Sequence, residues 1–460
     1  MGLAANNIEK SSGGKQRLRD KMYEQVDTMV DDLWDRLEES DKPTVMEMSK
    51  IVGELRRKLT GVCLQTLIEE KYTDELDLKY AACPECGKRC KTRRKHKKEL
   101  STMEGSFELI RSWFYCTGCC QGFIPFDIKA EASRRQHQFD IQKKVVKLSS
   151  KMPFSEAKET VEDLTGQKVG EHFIHEVVCA VGENAHLADI VPSQEEIKAR
   201  IKQVAVGTRR PIMVVASDGA HVPTRARAKR NQKRGKGRWQ EAKGFRIYLV
   251  DPDGRIEHIA SWHQIQNEEQ FGKDLAEVAA LIPQEMVRIA LLGDGADWLW
   301  KHMTALFPKG RQILDYYHCV EHIYKVGKIQ YGEKDLKGLE WVEVTITRLF
   351  YNEINLVIAG LRRMDPNSME AKEEIRKLIT YLDNNRNRIH YHGDRKGGYP
   401  IGSGGIESAN KYICHTRMKR SGAWWVKENG NSMLRIRCSI YNGTYERVFD
   451  KYKMFDLSHR

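Results

Sequence analysis

Leu291-Leu292-Gly293-Asp294-Gly295-Ala296-Asp297-Trp298 is the stretch on which the reading of this chain turns. An apolar run over 287–292 predicts a short buried strand. A Gly-Asp-Gly turn closes it, and a helical pattern over 296–307 follows. Asp294 is therefore expected at the end of a strand, where open α/β sheets place their ligands. Pro211-Ile212-Met213-Val214-Val215-Ala216-Ser217 is a second run of the same kind, closed by Asp218-Gly219. A third acid, Glu407, follows the glycine-rich turn Ile401-Gly402-Ser403-Gly404-Gly405-Ile406. It falls in the first turn of a predicted helix, whose positive dipole end favours a carboxylate. Two strand-borne aspartates and one helix-borne glutamate are hard oxygen donors suited to a pair of divalent cations.

Outward from these acids the rhythm stays that of a mixed sheet. Runs at 244–250 and 256–262 flank Asp251-Pro252-Asp253-Gly254, a hairpin signal. A helix over 268–281 leads to the Asp294 strand, and another helix leads to a fifth strand at Gln312-Ile313-Leu314-Asp315. From 319 to 387 the pattern is helical, with Val342, Ile346, Leu349, Phe350, Ile354 and Ile358 expected on one face. The expected class is α+β and multidomain.

The 460 residues leave room for several domains, and 40% of them are apolar, enough for real cores. The net charge of +13 points to a polyanionic partner, nucleic acid before membrane. No apolar run is long enough to span a bilayer, and Met1-Gly2-Leu3-Ala4-Ala5-Asn6 does not read as an export signal. A cytoplasmic protein with no membrane partner is expected.

Six of the 11 cysteines lie between Cys83 and Cys120. Cys83-Pro84-Glu85-Cys86 and Cys116-Thr117-Gly118-Cys119 form two Cys-x-x-Cys pairs, a spacing that supplies four thiolates to a structural zinc ion. Cys90 and Cys120 are alternative ligands. A strand-like segment at 107–115 lies between the pairs. So does the basic run 88–98, whose like charges repel unless a phosphate backbone or solvent accompanies them.

The remaining segments set the expected domain plan. Residues 1–78 read as a helical region, with a loose tail over 1–15, a turn at 40–44 and a possible role in dimerisation. A zinc ribbon follows over 79–127. Helices predicted at 153–164 and 170–185, joined by a turn with Gly166, make 128–192 a helix-turn-helix-like DNA-binding region. Within it His172, His175 and Glu176 read as surface or base-contacting residues. A linker is expected over 193–210. The acids then lie in 211–318 and 399–460, separated by a helical insertion over 319–398.

Asp218-Gly219-Ala220, Gly293-Asp294-Gly295-Ala296-Asp297-Trp298, Leu314-Asp315-Tyr316-Tyr317-His318 and the segment Tyr399 to Lys411 resemble the motifs of DDE transposases from bacterial insertion sequences of the ISKra type. The segments Arg417-Met418-Lys419-Arg420-Ser421-Gly422 to Trp425 and Leu434-Arg435-Ile436-Arg437 fit as well. The resemblance covers roughly 80–450. It implies an RNase H-like core, a mixed five-stranded sheet in which the first and fourth strands carry Asp218 and Asp294. It also implies two Mg²⁺ ions, replaceable by Mn²⁺, held by Asp218, Asp294 and Glu407. His318, in the Asp315-x-x-His318 pattern of mutator-like relatives, would position water or the scissile phosphate. Water would cut the element end, and the freed 3′-hydroxyl would attack target DNA. Lys95, Arg225, Arg227, Arg230, Lys411, Arg417, Lys419 and Arg420 are the expected DNA contacts, and Trp424 and Trp425 are candidates for base stacking or packing. Asp297 reads as an acid of its helix's first turn, and His221 as peripheral. The partners implied are element-end and target DNA and at least one further copy of the chain, in a bacterial, nucleoid-associated setting. A nuclease without strand transfer and a non-catalytic DNA-binding regulator are the alternatives.

Overall fold

The computed structural model describes residues 2–38, 42–207, 209–227 and 235–458, with backbone alone over 2–12. The chain divides into two compact units, Met1–Ala180 with Phe449–Arg460, and Val181–Val448.

In the first unit, α1 (Gly2–Glu38) and α2 (Val45–Lys71) form a hairpin. The tail expected over 1–15 is helical from Gly2. Ala4, Ala5, Glu9 and Lys10 are strong helix formers, whereas the run Ser11-Ser12-Gly13-Gly14 costs the helix about 0.5–1 kcal/mol per residue. The expected turn at 40–44 begins outside the described residues. Thr44 caps α2, its hydroxyl accepting from the Glu47 amide while the Glu47 carboxylate accepts from the Thr44 amide. Ion pairs Arg17–Glu70 (2.6 Å) and Arg36–Glu54 (3.0 Å) tie the hairpin together.

A short α3 (Thr73–Leu76) leads into β1 (Tyr80–Ala82), β2 (Arg89–Thr102), β3 (Gly105–Cys116) and β4 (Gln121–Phe123), an antiparallel sheet in that order. The β2–β3 hairpin is long, which accounts for the wide gap between the cysteine pairs. Leu100, Phe107 and Leu109 pack with Phe126 of α4 (Pro125–Lys129) and with Leu64 and Ile68 of α2. Beneath them Arg111, 1% exposed, pairs with Asp127 and lies 3.0 Å from His96 Nδ1. Next come α5 (Phe139–Ser149) and α6 (Phe154–Thr165), which stops at Gly166 in the left-handed region (φ +68°). The unit boundary falls within α7 (Glu171–Glu183).

The second unit opens with α8 (Leu187–Ile190) and α9 (Gln194–Val204). The latter corrects the expected linker over 193–210. Ser193 and Glu196 form a capping box, and Ile197 and Ile201, one turn apart, are buried. The central sheet follows: β5 (Ile212–Thr224), β6 (Arg238–Val250), β7 (Ile256–Ile265), α10 (Glu268–Ala279), β8 (Arg288–Gly293), α11 (Asp297–Leu306) and β9 (Arg311–Leu314). Its spatial order is β7-β6-β5-β8-β9. β5, β6 and β7 run antiparallel, while β8 and β9 run parallel to β5. This is the expected mixed five-stranded sheet of an α+β chain, in the expected order along the sequence.

Then come α12 (Tyr316–Tyr331), α13 (Leu336–Phe350), α14 (Ile354–Arg363), α15 (Met369–Asn384) and α16 (Tyr391–Lys396). The single apolar face expected from Val342 to Ile358 is broken at 351–353, where Asn352 takes a left-handed φ of +68°. After α17 (Gly404–Asn410) the backbone widens into a π turn over Lys411–His415, runs through α18 (Thr416–Met418), and returns as α19 (Lys427–Tyr441), which packs on β7. Buried Arg437 donates to the carbonyls of Tyr412 and Ile413, which the π turn leaves open. The chain ends in α20 (Tyr445–Ser458).

Candidate functional sites: a thiol cluster and an acid cluster

The sulfurs of Cys83, Cys86, Cys116 and Cys119 lie within 4.8 Å of one another. Cys83–Cys119 are 3.9 Å apart and Cys86–Cys116 3.6 Å. Four sulfurs at ~2.3 Å from a tetrahedral zinc would stand roughly 3.8 Å apart, so the cage could hold a metal such as zinc. Both knuckles turn through a left-handed residue just after their second cysteine, Gly87 (φ +70°) and Cys120 (φ +54°). The amides of Cys119 and Gly118 bond the Cys116 sulfur and draw its pKa down to about 6. Cys90 instead bonds the Lys88 carbonyl and Cys120 the Thr117 carbonyl, and neither belongs to the cage.

The acid cluster is assembled from three elements of the second unit. The parallel register Ala216↔Leu292, continued by two places, sets Asp218 beside Asp294. Each aspartate is braced locally. Asp218 Oδ1 accepts from the Gly219 amide (2.7 Å), and Asp294 Oδ1 from the Ala296 amide (3.0 Å). The Tyr381 hydroxyl donates to the Asp294 carbonyl (2.8 Å), and a Cβ on Gly295 (φ +103°) would stand 2.9 Å from the Tyr381 ring.

Three further bonds set the turn that leads to Glu407. Asp315 Oδ2 accepts from the Ser403 amide (3.1 Å), while its Oδ1 accepts from the Tyr317 amide and caps α12. The Tyr316 amide donates to the Ile401 carbonyl, and buried Arg246 donates to the Gly405 carbonyl (2.6 Å). Asn410, at the end of α17, donates from Nδ2 to Asp218 Oδ2 (2.6 Å). Glu407 lies one turn earlier on the same face and accepts from the Ser403 hydroxyl.

Burial, and then repulsion from Asp294, Glu407 and Glu241, push the Asp218 carboxyl up to about 6. The acid oxygens do not converge as tightly as the thiols. Their chemistry still suits hard cations: carboxylates only, one of them desolvated among like charges.

Glu241 and Lys243 are the residues that the sequence reading missed. A Cβ at Gly219 would stand 2.7 Å from the Glu241 carboxyl carbon, so the glycine leaves room for that carboxylate next to Asp218. Lys243 pairs with Glu241 (2.6 Å) and lies 3.7 Å over the Trp298 ring. In the β5–β6 register Glu241 stands opposite His221, on the face that Gly219 and Lys243 share, a placement that follows from the pairing of the strands and not from either segment alone.

The His318 ring faces His322 (3.3 Å), Glu321 (3.6 Å) and Tyr381, and none of these is one of the three acids. Only its amide reaches Asp315. Asp297 is exposed at the start of α11, and His221 is exposed opposite Glu241. His172 pairs with Glu176 at the surface, and His175 lies against Phe154 and Cys179.

No family model matches the chain. It is similar to the UPF0236 protein in vanSb 3'region of Streptococcus gallolyticus. The two are 23% identical over 346 residues, 71% of this chain and 69% of that protein.

The expected DNA contacts divide. Arg227 and Lys411 are exposed, Arg420 is exposed next to half-buried Lys419, and Arg225 is half-buried. Arg230 lies outside the described residues. Lys95 is engaged with Asp77, the Leu76 carbonyl and Ser112. Arg417 is buried, 5.0 Å from the Trp425 ring. Trp425 donates to the Met418 carbonyl and its backbone pairs with the end of β5, so it is packed, while Trp424 lies against Gly237 but is 39% exposed. Exposed Lys91, Arg93, Arg94 and Lys97 run along β2. No described helix is long and apolar enough to cross a membrane.

Proposed function

We propose that the protein is a DNA transposase, working on an RNase H-like core, that cuts the ends of a mobile element and joins them to target DNA. The motifs around Asp218, Asp294 and Glu407 support this reading, as does the strand order with Asp218 on β5 and Asp294 just past the end of β8. One observation carries it: Asp218 is a desolvated carboxylate, raised to about 6, with Asp294 and Glu407 as its charged neighbours. A bound cation would relieve the repulsion among these desolvated like charges.

Asp218, Asp294 and Glu407 would hold two Mg²⁺ or Mn²⁺ ions. When bound, these would stabilise charge on the attacking and leaving oxygens of a phosphodiester. The amides of Gly219 and Ala296 fix the two aspartates, and the bonds from Asp315 and Arg246 fix the turn before Glu407. In the cut, a water oxygen bonds to phosphorus and the P–O3′ bond breaks, leaving a 3′-hydroxyl. In the joining step, that hydroxyl oxygen bonds to a target phosphorus and the target's own 3′-oxygen leaves. No bond to the protein forms, so no Ser or Tyr nucleophile is required. The four cysteines would hold a structural zinc, and β2, Arg227, Lys411 and Arg420 would face phosphates. Joining two element ends calls for at least two copies of the chain.

The test is cleavage of labelled DNA carrying the ends of the element that encodes the chain, with Mg²⁺, with EDTA, and with Glu407→Gln or Asp294→Asn. Metal-dependent products that vanish in both variants are expected, followed by joined products with target DNA. Cleavage without joining would favour a nuclease. Binding without cleavage would favour a regulator. Cleavage unchanged in Asp294→Asn would remove the acid cluster from the chemistry.

A further inference from the structure

Asp218, Gly244 and His263 are cross-strand neighbours in one row over β5, β6 and β7. His263 is fully buried. Its ring lies against Gly244, where a Cβ would stand 2.5 Å from Nε2 and 2.6 Å from Cγ. From there Nε2 reaches Asn410 Oδ1 at 2.8 Å, and Asn410, 3% exposed, passes Nδ2 to Asp218 Oδ2 at 2.6 Å. His263 Nδ1 has no hydrogen-bond partner among the described residues.

An amide has one accepting and one donating end, and only one orientation suits a carboxylate. Were Nε2 the unprotonated nitrogen of His263, Asn410 would turn its NH₂ to the ring and its oxygen to Asp218, and two oxygens would collide. With Nδ1 unpartnered, the proton sits on Nε2, and that N–H holds the amide with its donor towards Asp218. The ring is neutral there, since burial draws its pKa down to about 4.

We propose that His263 and Asn410 are positioning residues that orient the Asp218 carboxylate for a divalent cation. Asn410 occupies one lone pair of Oδ2 and the Gly219 amide one of Oδ1, leaving the remaining lone pairs for the cation. This rests on the reading of Asp218 as a cation ligand. Outer partners that aim a ligand are typically worth about 10–100-fold in metal affinity.

The test is calorimetric titration of Mn²⁺ into the full-length protein, alongside the Mg²⁺ concentration for half-maximal DNA cleavage. Asn410→Ala should weaken Mn²⁺ binding and raise the half-maximal Mg²⁺ by about 10–100-fold. His263→Gln keeps an N–H donor and should stay near wild type. His263→Phe keeps the ring but not the donor and should match Asn410→Ala. Should Asn410→Ala not fold, the Gln and Phe variants decide alone. Equal Mn²⁺ affinity in the two His263 variants, or in folded Asn410→Ala, would overturn the proposal. Asp218→Asn separates the two readings. If it binds Mn²⁺ as well as wild type, the ligand assignment itself fails. If it loses Mn²⁺ and the Asn410 and His263 variants do not, only the positioning role fails.

Discussion

Gly244→Ala tests the row across the sheet without touching any charged group. The new methyl would stand 2.5 Å from His263 Nε2 and 2.6 Å from Cγ, against roughly 3.5–4.0 Å for a comfortable contact. Neither side yields easily, because Gly244 pairs with both β5 and β7 and the His263 ring is fully buried. Overpacking of this kind costs about 1–3 kcal/mol. The ring can withdraw only by leaving Asn410, which adds about 1 kcal/mol for a buried hydrogen bond. A loss of about 2–4 kcal/mol is expected. Gly393→Ala is the control: it lies in α16, and a Cβ there meets nothing within 4 Å. It should stabilise by about 0.5–1 kcal/mol through helix propensity. Urea unfolding followed by hydrogen exchange of peptides from β5, β6 and β7 reads this sheet rather than the N-terminal unit. If Gly244→Ala shifts stability by less than about 0.5 kcal/mol, the ring does not lie against Gly244, and the line from His263 through Asn410 to Asp218 falls with it.

Other outcomes are equally direct. One zinc per chain should be found by elemental analysis, lost in Cys86→Ser and kept in Cys90→Ser and Cys120→Ser, because only the first belongs to the cage. His263, drawn down to about 4 from an ordinary 6.5, resists protonation in the fold but not in the unfolded chain. Its contribution is therefore complete above about pH 6.5 and is lost as the pH falls towards 4, by about 3 kcal/mol in all. Unfolding midpoints between pH 7 and 4 should fall less steeply in His263→Gln than in wild type. Asp127→Ala would leave the Arg111 guanidinium buried without its carboxylate and should cost about 3–5 kcal/mol in urea unfolding of the N-terminal unit.

The apolar runs before Asp218 and Asp294 were legible because a strand covered on both faces needs no alternation; the Gly-Asp-Gly turn does end β8, but β5 runs on through Asp218-Gly219 to Thr224, past the stop expected there. The paired cysteines were legible from spacing alone. The α9 helix was not read, because Ile197 and Ile201 are its only large buried side chains among charged neighbours. The signal was nevertheless present in Ser193 and Glu196, a capping box three residues apart. The π turn after α17 leaves no trace in a pattern of apolar residues, since its wider winding is held by Arg437 from α19. Asn410 and His263 were passed over for a similar reason. Their link crosses 147 positions of sequence. Its one local mark is Gly244, a glycine inside a strand, which signals another group's close approach.

Net charge was the least faithful guide to which cations face a partner. Arg111, Arg246, Arg417 and Arg437 are all buried. Arg246 and Arg437 hold carbonyls of the α17 segment and its π turn, and Arg111 neutralises Asp127. Lys95 is bound to the chain itself, and Lys243 to Glu241. A guanidinium can satisfy several carbonyls at a bend where no regular ladder exists, so irregular backbone beside a polar site draws arginine inward. Along β2, Lys91, Arg93, Arg94 and Lys97 stay exposed, with Arg94 over the Trp113 ring and Lys97 paired to Glu108 (2.6 Å). Lys91 and Arg93 engage no acid or ring among the described residues, which makes them the cations of β2 best placed for a phosphate backbone.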